Sequence, residues 1–123
     1  MSSVHRTLSS PVLTIELAGE MQIVRSELTA GRARIARTLV KEGALRLTLI
    51  GVNAGGMLHE HEAEGPITIH VLEGAIVVRA DGTARTLAAG GLMAIDGGVR
   101  HEVSSPSGGL FLLTLISRDA APK

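Results

Sequence analysis

Cysteine, tryptophan and tyrosine are absent from this 123-residue sequence, and Phe111 is its single aromatic residue. Without cysteine, neither disulfides nor thiolate chemistry is available, which suits a reducing cytoplasm. Stacking on bases or sugar rings requires aromatic side chains, so the composition argues against a module that binds nucleic acid or carbohydrate. The core must be built from leucine, isoleucine and valine.

An excess of charge is also absent, because 12 Lys and Arg residues balance 12 Asp and Glu residues. No overall field would attract nucleic acid or anionic lipid. No apolar run approaches the roughly 18 residues that a membrane span needs, and residues 1–20 lack the pattern of a signal peptide. We expect a soluble, cytoplasmic protein with no nucleic-acid and no membrane partner.

The length predicts a single domain. Residues 1–11 are mostly polar and end at Ser10-Pro11, which predicts a flexible N-terminal arm, and residues 12–118 are expected to form the folded domain. Within it, residues 12–17 alternate between apolar and polar side chains, which predicts a first strand.

Residues 18–28 carry Met21, Val24 and Leu28 at helical spacing, so we expect a short helix there. Gly31 is suited to end it. Downstream, the charges of the basic run over residues 32–41 alternate between strand faces, so they do not form one anion-binding stripe. We expect either a solvated edge strand or an Arg37 that pairs with a carboxylate.

From residue 34 onward the hydrophobic period is two, and in residues 44–52 Leu45, Leu47 and Leu49 share one face. Asp81-Gly82, between alternating flanks, is the strongest hairpin signal. Many short strands separated by turn residues predict an all-β sandwich or a closed jelly roll. The other predicted strands are residues 34–41, 57–61, 66–73, 75–80, 83–88, 92–95, 99–104 and 110–116.

The segment MLHEHEAEGPITIHVLEG contains His59 and His61 at positions i and i+2. If residues 57–61 are extended, both imidazoles leave one face and Leu58 leaves the other. Two neighbouring imidazoles are a natural half of a transition-metal site, although a polar strand edge on which His alternates with Glu is the alternative interpretation. His101 lies at the start of another predicted strand, and histidines on separate strands can converge inside a barrel.

Residues 55–74 resemble the first motif of the cupin superfamily, and residues 90–105, GGLMAIDGGVRHEVSS, resemble its second motif. The ARTLVK segment and the GPI strand are similar to those of a group of short bacterial cupins, whose two motif histidines match His61 and His101. The resemblance implies a single-domain cupin jelly-roll barrel, also called a double-stranded β-helix. The helical periodicity of residues 18–28 adds a short N-terminal helix to this prediction. It also implies a homodimer, with which a mean hydropathy of +0.30 agrees.

By the same resemblance, His59, His61 and His101 would hold a divalent transition metal: zinc, iron, manganese, nickel or copper. Ile67 stands where the motif has its glutamate and cannot coordinate an ion. Glu62 or Glu64, in the loop that follows the histidines, would have to complete a set of two histidines and one carboxylate.

His70 is a weaker candidate ligand. It shares parity with Thr68 and Leu72, opposite Ile67, so if Ile67 faces the interior His70 faces outward. A cross-strand or dimer contact is the favoured role for it.

Two functions follow from these patterns. The first is a metal-binding cupin that acts on a small organic molecule, as an oxygenase, isomerase or decarboxylase if it is an enzyme. The alternative is a non-enzymatic barrel with a decayed metal site, which binds a small apolar ligand or serves as a dimeric regulatory module. Ile67, together with an interior expected to include Ile69 and Met57, motivates the alternative, because ligand pockets have apolar walls with few polar groups.

Overall fold

The protein, a computed structural model, is described over residues 11–117, apart from the side chains of Glu60 and His61. The predicted arm over residues 1–11, except Pro11, and residue 118 of the predicted domain lie outside the described residues. The described chain forms α1 (Leu17–Thr29), β1 (Arg34–Glu42), β2 (Leu45–Val52), β3 (Gly56–His61), β4 (Ile67–Ala80), β5 (Thr83–Ala88), β6 (Leu92–Ile95), β7 (His101–Ser105) and β8 (Gly109–Ile116).

The predicted all-β jelly-roll barrel is confirmed. All strand pairs are antiparallel, and the sheet runs in the order β1-β2-β8-β4-β7-β3, with β5 and β6 also paired to β4. The first half of β4 pairs with β6 and β8, whereas its second half pairs with β5 and β7. β4 therefore belongs to two sheets, a larger one with β1, β2, β6 and β8 and a smaller one with β3, β5 and β7. It joins these two sheets into one curled barrel.

The segments 66–73 and 75–80, predicted as two strands, form the single strand β4. Gly74 lies between them with a φ of 69°, next to a register shift between Val71 and Glu73 in the pairing with β8. A glycine in the left-handed region lets the chain bend without losing its partner strands. The predicted break is therefore a bend within one strand.

The hairpin predicted at Asp81-Gly82 is confirmed. Both residues have positive φ, 52° and 76°, and Ala80 pairs with Thr83 across the turn. Positive φ at both central residues is the requirement of the two-residue turn that matches strand twist.

Two hydrophobic clusters lie on opposite faces of the larger sheet. The interior cluster fills the barrel, and its buried members include Ile69, Val78 and Phe111. The outer cluster lies between the sheet and α1, and its buried members include Val24 and Leu49. The alternation along β2, β4 and β8 supplies both clusters, because successive side chains enter opposite faces.

The predicted helix is confirmed as α1. The Glu16 carboxylate accepts a hydrogen bond from the Gly19 amide at 3.1 Å, and Gly31, with a φ of 105°, follows the last turn. Val24 and Leu28 are the buried residues of the helix. A Cβ at Gly51 would lie 2.5 Å from Val24 Cγ1, so this glycine allows the helix to pack closely on β2.

The strand predicted over residues 12–17 is wrong. Residues 12–16 have no regular secondary structure, and Leu13, Ile15 and Leu17 pack against the outer cluster. The alternation arises because one side of this segment is buried against the outer cluster, and it does not indicate pairing with another strand. No neighbouring strand pairs with this segment among the described residues.

Two ion pairs fix α1 to the barrel. Arg37 on β1 pairs with Glu20 through side chains that are each only 14% exposed, which confirms the predicted carboxylate partner. Arg25 pairs with Glu73 on β4, and the hydrogen bonds from its guanidinium lower the pKa of Glu73. These side chains are more than a third exposed, so solvent screening leaves this second pair little stabilising effect.

Candidate functional site in the barrel interior

His101 is the most deeply buried of the candidate ligands whose side chains are described. It is 3% exposed and begins β7, directly after the turn that contains Asp96 and Gly98. Its Nδ1 lies 3.1 Å from the Val99 carbonyl oxygen. Because a carbonyl only accepts, Nδ1 carries the hydrogen in this contact, and a neutral ring then has its lone pair at Nε2.

The turn before His101 is tied to the loop after β3. The Gly98 amide, in a residue with a φ of 84°, donates to the Ala63 carbonyl at 3.0 Å. The Asp96 carboxylate accepts from the Gly97 amide at 2.9 Å. These bonds set the position of the loop that carries Glu62 and Glu64 relative to His101.

Two adjacent cavities share His101 and Leu113 in their walls. The outer cavity has a volume of about 330 Å³, and the inner cavity has a volume of about 100 Å³. The outer cavity is lined by Glu62, Ala63, Glu64, Ile67, His101, Leu113 and Leu115. The inner cavity is lined by Ile50, Leu58, Ile69, His101, Val103, Phe111 and Leu113. An imidazole therefore lies between an apolar interior and a mouth with two carboxylates.

His59 and His101 do not share an environment, because His59 is exposed whereas His101 is buried. Leu58 packs against the interior cluster, on the face opposite to His59, so at this point of β3 the interior face carries Leu58 and not His59. Leu58 pairs with Val103, and His61 pairs with His101, so one extra residue is inserted between these pairs. This β-bulge breaks the simple alternation that the HxH spacing assumes.

The backbone pairs position 61 directly with position 101 across β3 and β7. Residues opposite one another in an antiparallel pair have Cβ atoms roughly 4.5–5.5 Å apart. Continued without the bulge, the register of Leu58 and Val103 would place residue 60 opposite His101, so the bulge makes His61 the cross-strand neighbour of position 101.

His70 lies on the outer face of the barrel, as its parity predicts. It pairs with Leu92 on β6 and with Leu112 on β8, while Ile69 and Val71, its neighbours along β4, belong to the interior cluster. His70 is half-buried and does not line either cavity that contains His101.

Ile67 lies in the cavity wall and is 4% exposed, so the position of the motif glutamate is occupied by an interior alkyl group. Glu62 is exposed and forms an ion pair with Arg100 at 3.6 Å. Glu64, also exposed, accepts a hydrogen bond from Ser117 Oγ at 3.5 Å.

The described donors do not by themselves fit a divalent metal. Among the side chains that the structure describes, no three His, Asp or Glu residues come together as a possible metal site. His101 is the one imidazole among the described side chains that line the two cavities. A metal site at this place would therefore depend on His61.

The cavity wall includes residues that sequence reasoning did not assign to a site. Phe111 and Leu113 line the inner cavity. Their signal is the parity of LFLLTLI, which places Phe111, Leu113 and Leu115 on one face of β8. Met57 was expected in the interior, but it is 37% exposed, and that prediction is wrong.

No helix of the described part of the chain is both long and apolar enough to cross a membrane.

Comparison with known proteins identifies the fold independently. Residues 46–116 match a family model described as a cupin domain. This stretch runs from β2 to the end of β8 and contains His61, His101 and both cavities.

Solved structures of similar fold come from several bacteria. A conserved protein of unknown function from Streptococcus pyogenes is 21% identical, with a TM-score of 0.65 over 73% of this chain and 75% of that one. A cupin superfamily protein from Desulfitobacterium hafniense is 15% identical, with a TM-score of 0.66 over 68% and 77%. An RmlC-like cupin from Shewanella frigidimarina is 24% identical, with a TM-score of 0.66 over 72% and 81%. No curated protein matches the chain.

Proposed function

The chain belongs to the cupin family, as the match over more than half of its length shows, and from this premise we propose that it binds a small, largely apolar molecule inside its barrel beside His101. The observation that supports this proposal most directly is the inner cavity, whose wall consists of six apolar side chains and one imidazole. Sites for small molecules are concave and apolar, with a few polar groups that fix orientation.

The size of the cavities supports the same proposal. A cavity of ~150 Å³ lined by apolar side chains is large enough to hold benzene, and the outer cavity is larger, at about 330 Å³. The inner cavity, at about 100 Å³, is smaller and adds apolar wall beside it. Ile67 extends the apolar wall at the place where the family motif has a carboxylate.

2-Naphthylmethanol is a suitable probe, because the protein has no tryptophan or tyrosine whose emission would overlap that of naphthalene. We expect saturable binding to the wild-type protein. Leu113→Phe should weaken it about tenfold or more, since Leu113 lines both cavities and a larger side chain occupies the space that the ligand needs.

Thr86→Phe is the matched control for this titration. Thr86 is exposed on β5 and lines neither cavity that contains His101, so the same aromatic group is added away from the site. Equal affinity of both variants for the naphthyl alcohol would contradict binding inside the barrel. Absence of saturable binding to the wild type would do so as well.

A second candidate function is the binding of a divalent transition metal, by His61 and His101 with Glu62 or Glu64. The register that pairs His61 with His101 favours it, as does the Nδ1 contact of His101 with the Val99 carbonyl. Metal-binding histidines commonly donate their other ring N–H to a carbonyl or carboxylate. Zinc content of the purified protein tests this candidate. A content equal to that of the buffer, before and after incubation with zinc, would exclude it.

The homodimer implied by the family resemblance stays a prediction, and the outer sheet face supports it. Leu92 is 66% and Ile116 is 47% exposed on this face. A second copy could pack there without burying an unpaired carboxylate, lysine or arginine, because Glu73, the acidic residue on this face of β4, already pairs with Arg25 of α1. The outward positions around Leu92 and Ile116 are Leu45, Leu47, Leu112, Thr114, Thr68, His70 and Ala94. Light scattering should give the mass of a dimer, and the mass of a monomer would refute this proposal.

A further inference from the structure

Among the described residues that line the two cavities beside His101, the charged ones are all of one sign. Glu62 and Glu64 lie in the wall of the outer cavity, and no lysine or arginine is among the described residues that line either cavity. Arg100, which pairs with Glu62, is not among the lining residues. An anionic group in the outer cavity would therefore meet carboxylates and no cation among its described lining residues.

The two carboxylates and the apolar surface occupy different depths. Glu62 and Glu64 are exposed, whereas Ile69 and Phe111 in the inner cavity are each 1% exposed. His101 lies between them, because it lines both cavities. The site therefore combines an acidic outer cavity with an adjacent apolar inner cavity.

The loop with the two carboxylates is held in place by its backbone. The Ala63 carbonyl accepts from the Gly98 amide at 3.0 Å, so the residue between Glu62 and Glu64 is anchored to the turn that precedes His101. Anchoring of this kind lowers the conformational entropy that a ligand would otherwise remove on binding.

We propose that the ligand of this cavity is an apolar primary amine, with its ammonium group at Glu62 and Glu64 and its hydrocarbon body against Phe111. This inference rests on the proposed function and adds the charge of the ligand. An ammonium gains Coulomb attraction from both carboxylates, while a carboxylate of the same size is repelled by them. Partial exposure of the mouth limits the effect and makes it depend on salt.

Three naphthyl compounds test the proposal, because they share one apolar body: 2-naphthylmethylamine, 2-naphthylmethanol and 2-naphthoate. We expect the amine to bind about five- to tenfold more tightly than the alcohol at low ionic strength, and the carboxylate to bind most weakly. The advantage of the amine should shrink as salt is added.

The double variant Glu62→Gln/Glu64→Gln should reduce the advantage of the amine to about twofold or less and leave the affinity for the alcohol unchanged. Glu42→Gln, an exposed change on β1, is the control and should alter neither affinity. If the alcohol binds and the amine is no better, the inference fails while the proposed function stands. If no compound binds, the proposed function itself fails.

Discussion

Gly74→Ala is expected to destabilise the fold by about 4 kcal/mol or more, an unusually large effect for the addition of one methyl group. A Cβ at this position would lie 2.2 Å from the Gly108 carbonyl oxygen and 2.9 Å from the Gly109 Cα. Both contacts are with backbone, which cannot turn aside as a side chain can. The clash falls where β4 passes between the two sheets, so relief would separate β4 from β8. The positive φ of Gly74 adds about 1–2 kcal/mol of strain.

Gly82→Ala separates the two causes. Gly82 has a φ of 76°, close to that of Gly74, but a Cβ there would meet no atom within 4 Å. We expect it to lose only the roughly 1–2 kcal/mol that the left-handed conformation costs. Thermal unfolding followed by circular dichroism should place Gly74→Ala at least about 8 °C below Gly82→Ala. Melting temperatures within about 2 °C of each other would show that the close approach of β4 and β8 is not constrained by Gly74.

The strands were predictable because burial follows sequence parity along them. In β8, Phe111, Leu113 and Leu115 enter the interior cluster while Leu112 enters the outer one, as strict alternation requires. The turn at Asp81-Gly82 was predictable because few other residue pairs adopt positive φ twice in succession. The side on which a strand residue is buried and the φ values of a turn depend on residues close in sequence, so a local sequence pattern predicts them.

Pairing was less predictable than burial, because it depends on which strand is available as a partner. Residues 12–17 alternate like a strand, yet Leu13, Ile15 and Leu17 cover the outer cluster. The segment forms no strand pairing with the described part of the chain. Gly74 resembles a break in the sequence, yet β4 has partners on both sides of it and continues. Neither the missing partner strand of residues 12–17 nor the continuation of β4 past Gly74 can be predicted from the residue types in these segments.

The position of the candidate site could be predicted in part from the sequence. The resemblance of residues 90–105 to the second cupin motif led to His101, which is buried and lines both cavities. The HxH spacing did not show that one extra residue lies between Leu58 and His61 in the pairing with β7. A β-bulge adds one residue without requiring a particular residue type in every case, so it changed which residue of β3 pairs with His101 without a signal in the sequence.

Substitution of residue 67 tests whether a carboxylate at the position of the motif glutamate is enough for this barrel to bind a metal ion. Ile67→Glu is expected to destabilise the metal-free protein by about 3 kcal/mol or more, because residue 67 is 4% exposed and a buried carboxylate loses its hydration. If His61 and His101 face the same cavity, the new carboxylate supplies the missing third ligand. Zinc should then stabilise this variant by ~2.7 kcal/mol at a concentration of 100 times its dissociation constant, and the wild type by much less.

Ile67→Gln is the control, because it matches the glutamate in size and polarity but lacks the charge that binds a divalent ion strongly. Both variants should melt below the wild type without zinc, and only the glutamate variant should recover with it. That result would mean that the substitution at position 67 alone separates this barrel from a metal-binding one. An equal response of all three proteins to zinc would show that the ion binds elsewhere. Failure of zinc to raise the melting temperature of Ile67→Glu would show that the two histidines do not converge on this position, since a preformed pair of imidazoles needs only a third donor to hold the ion.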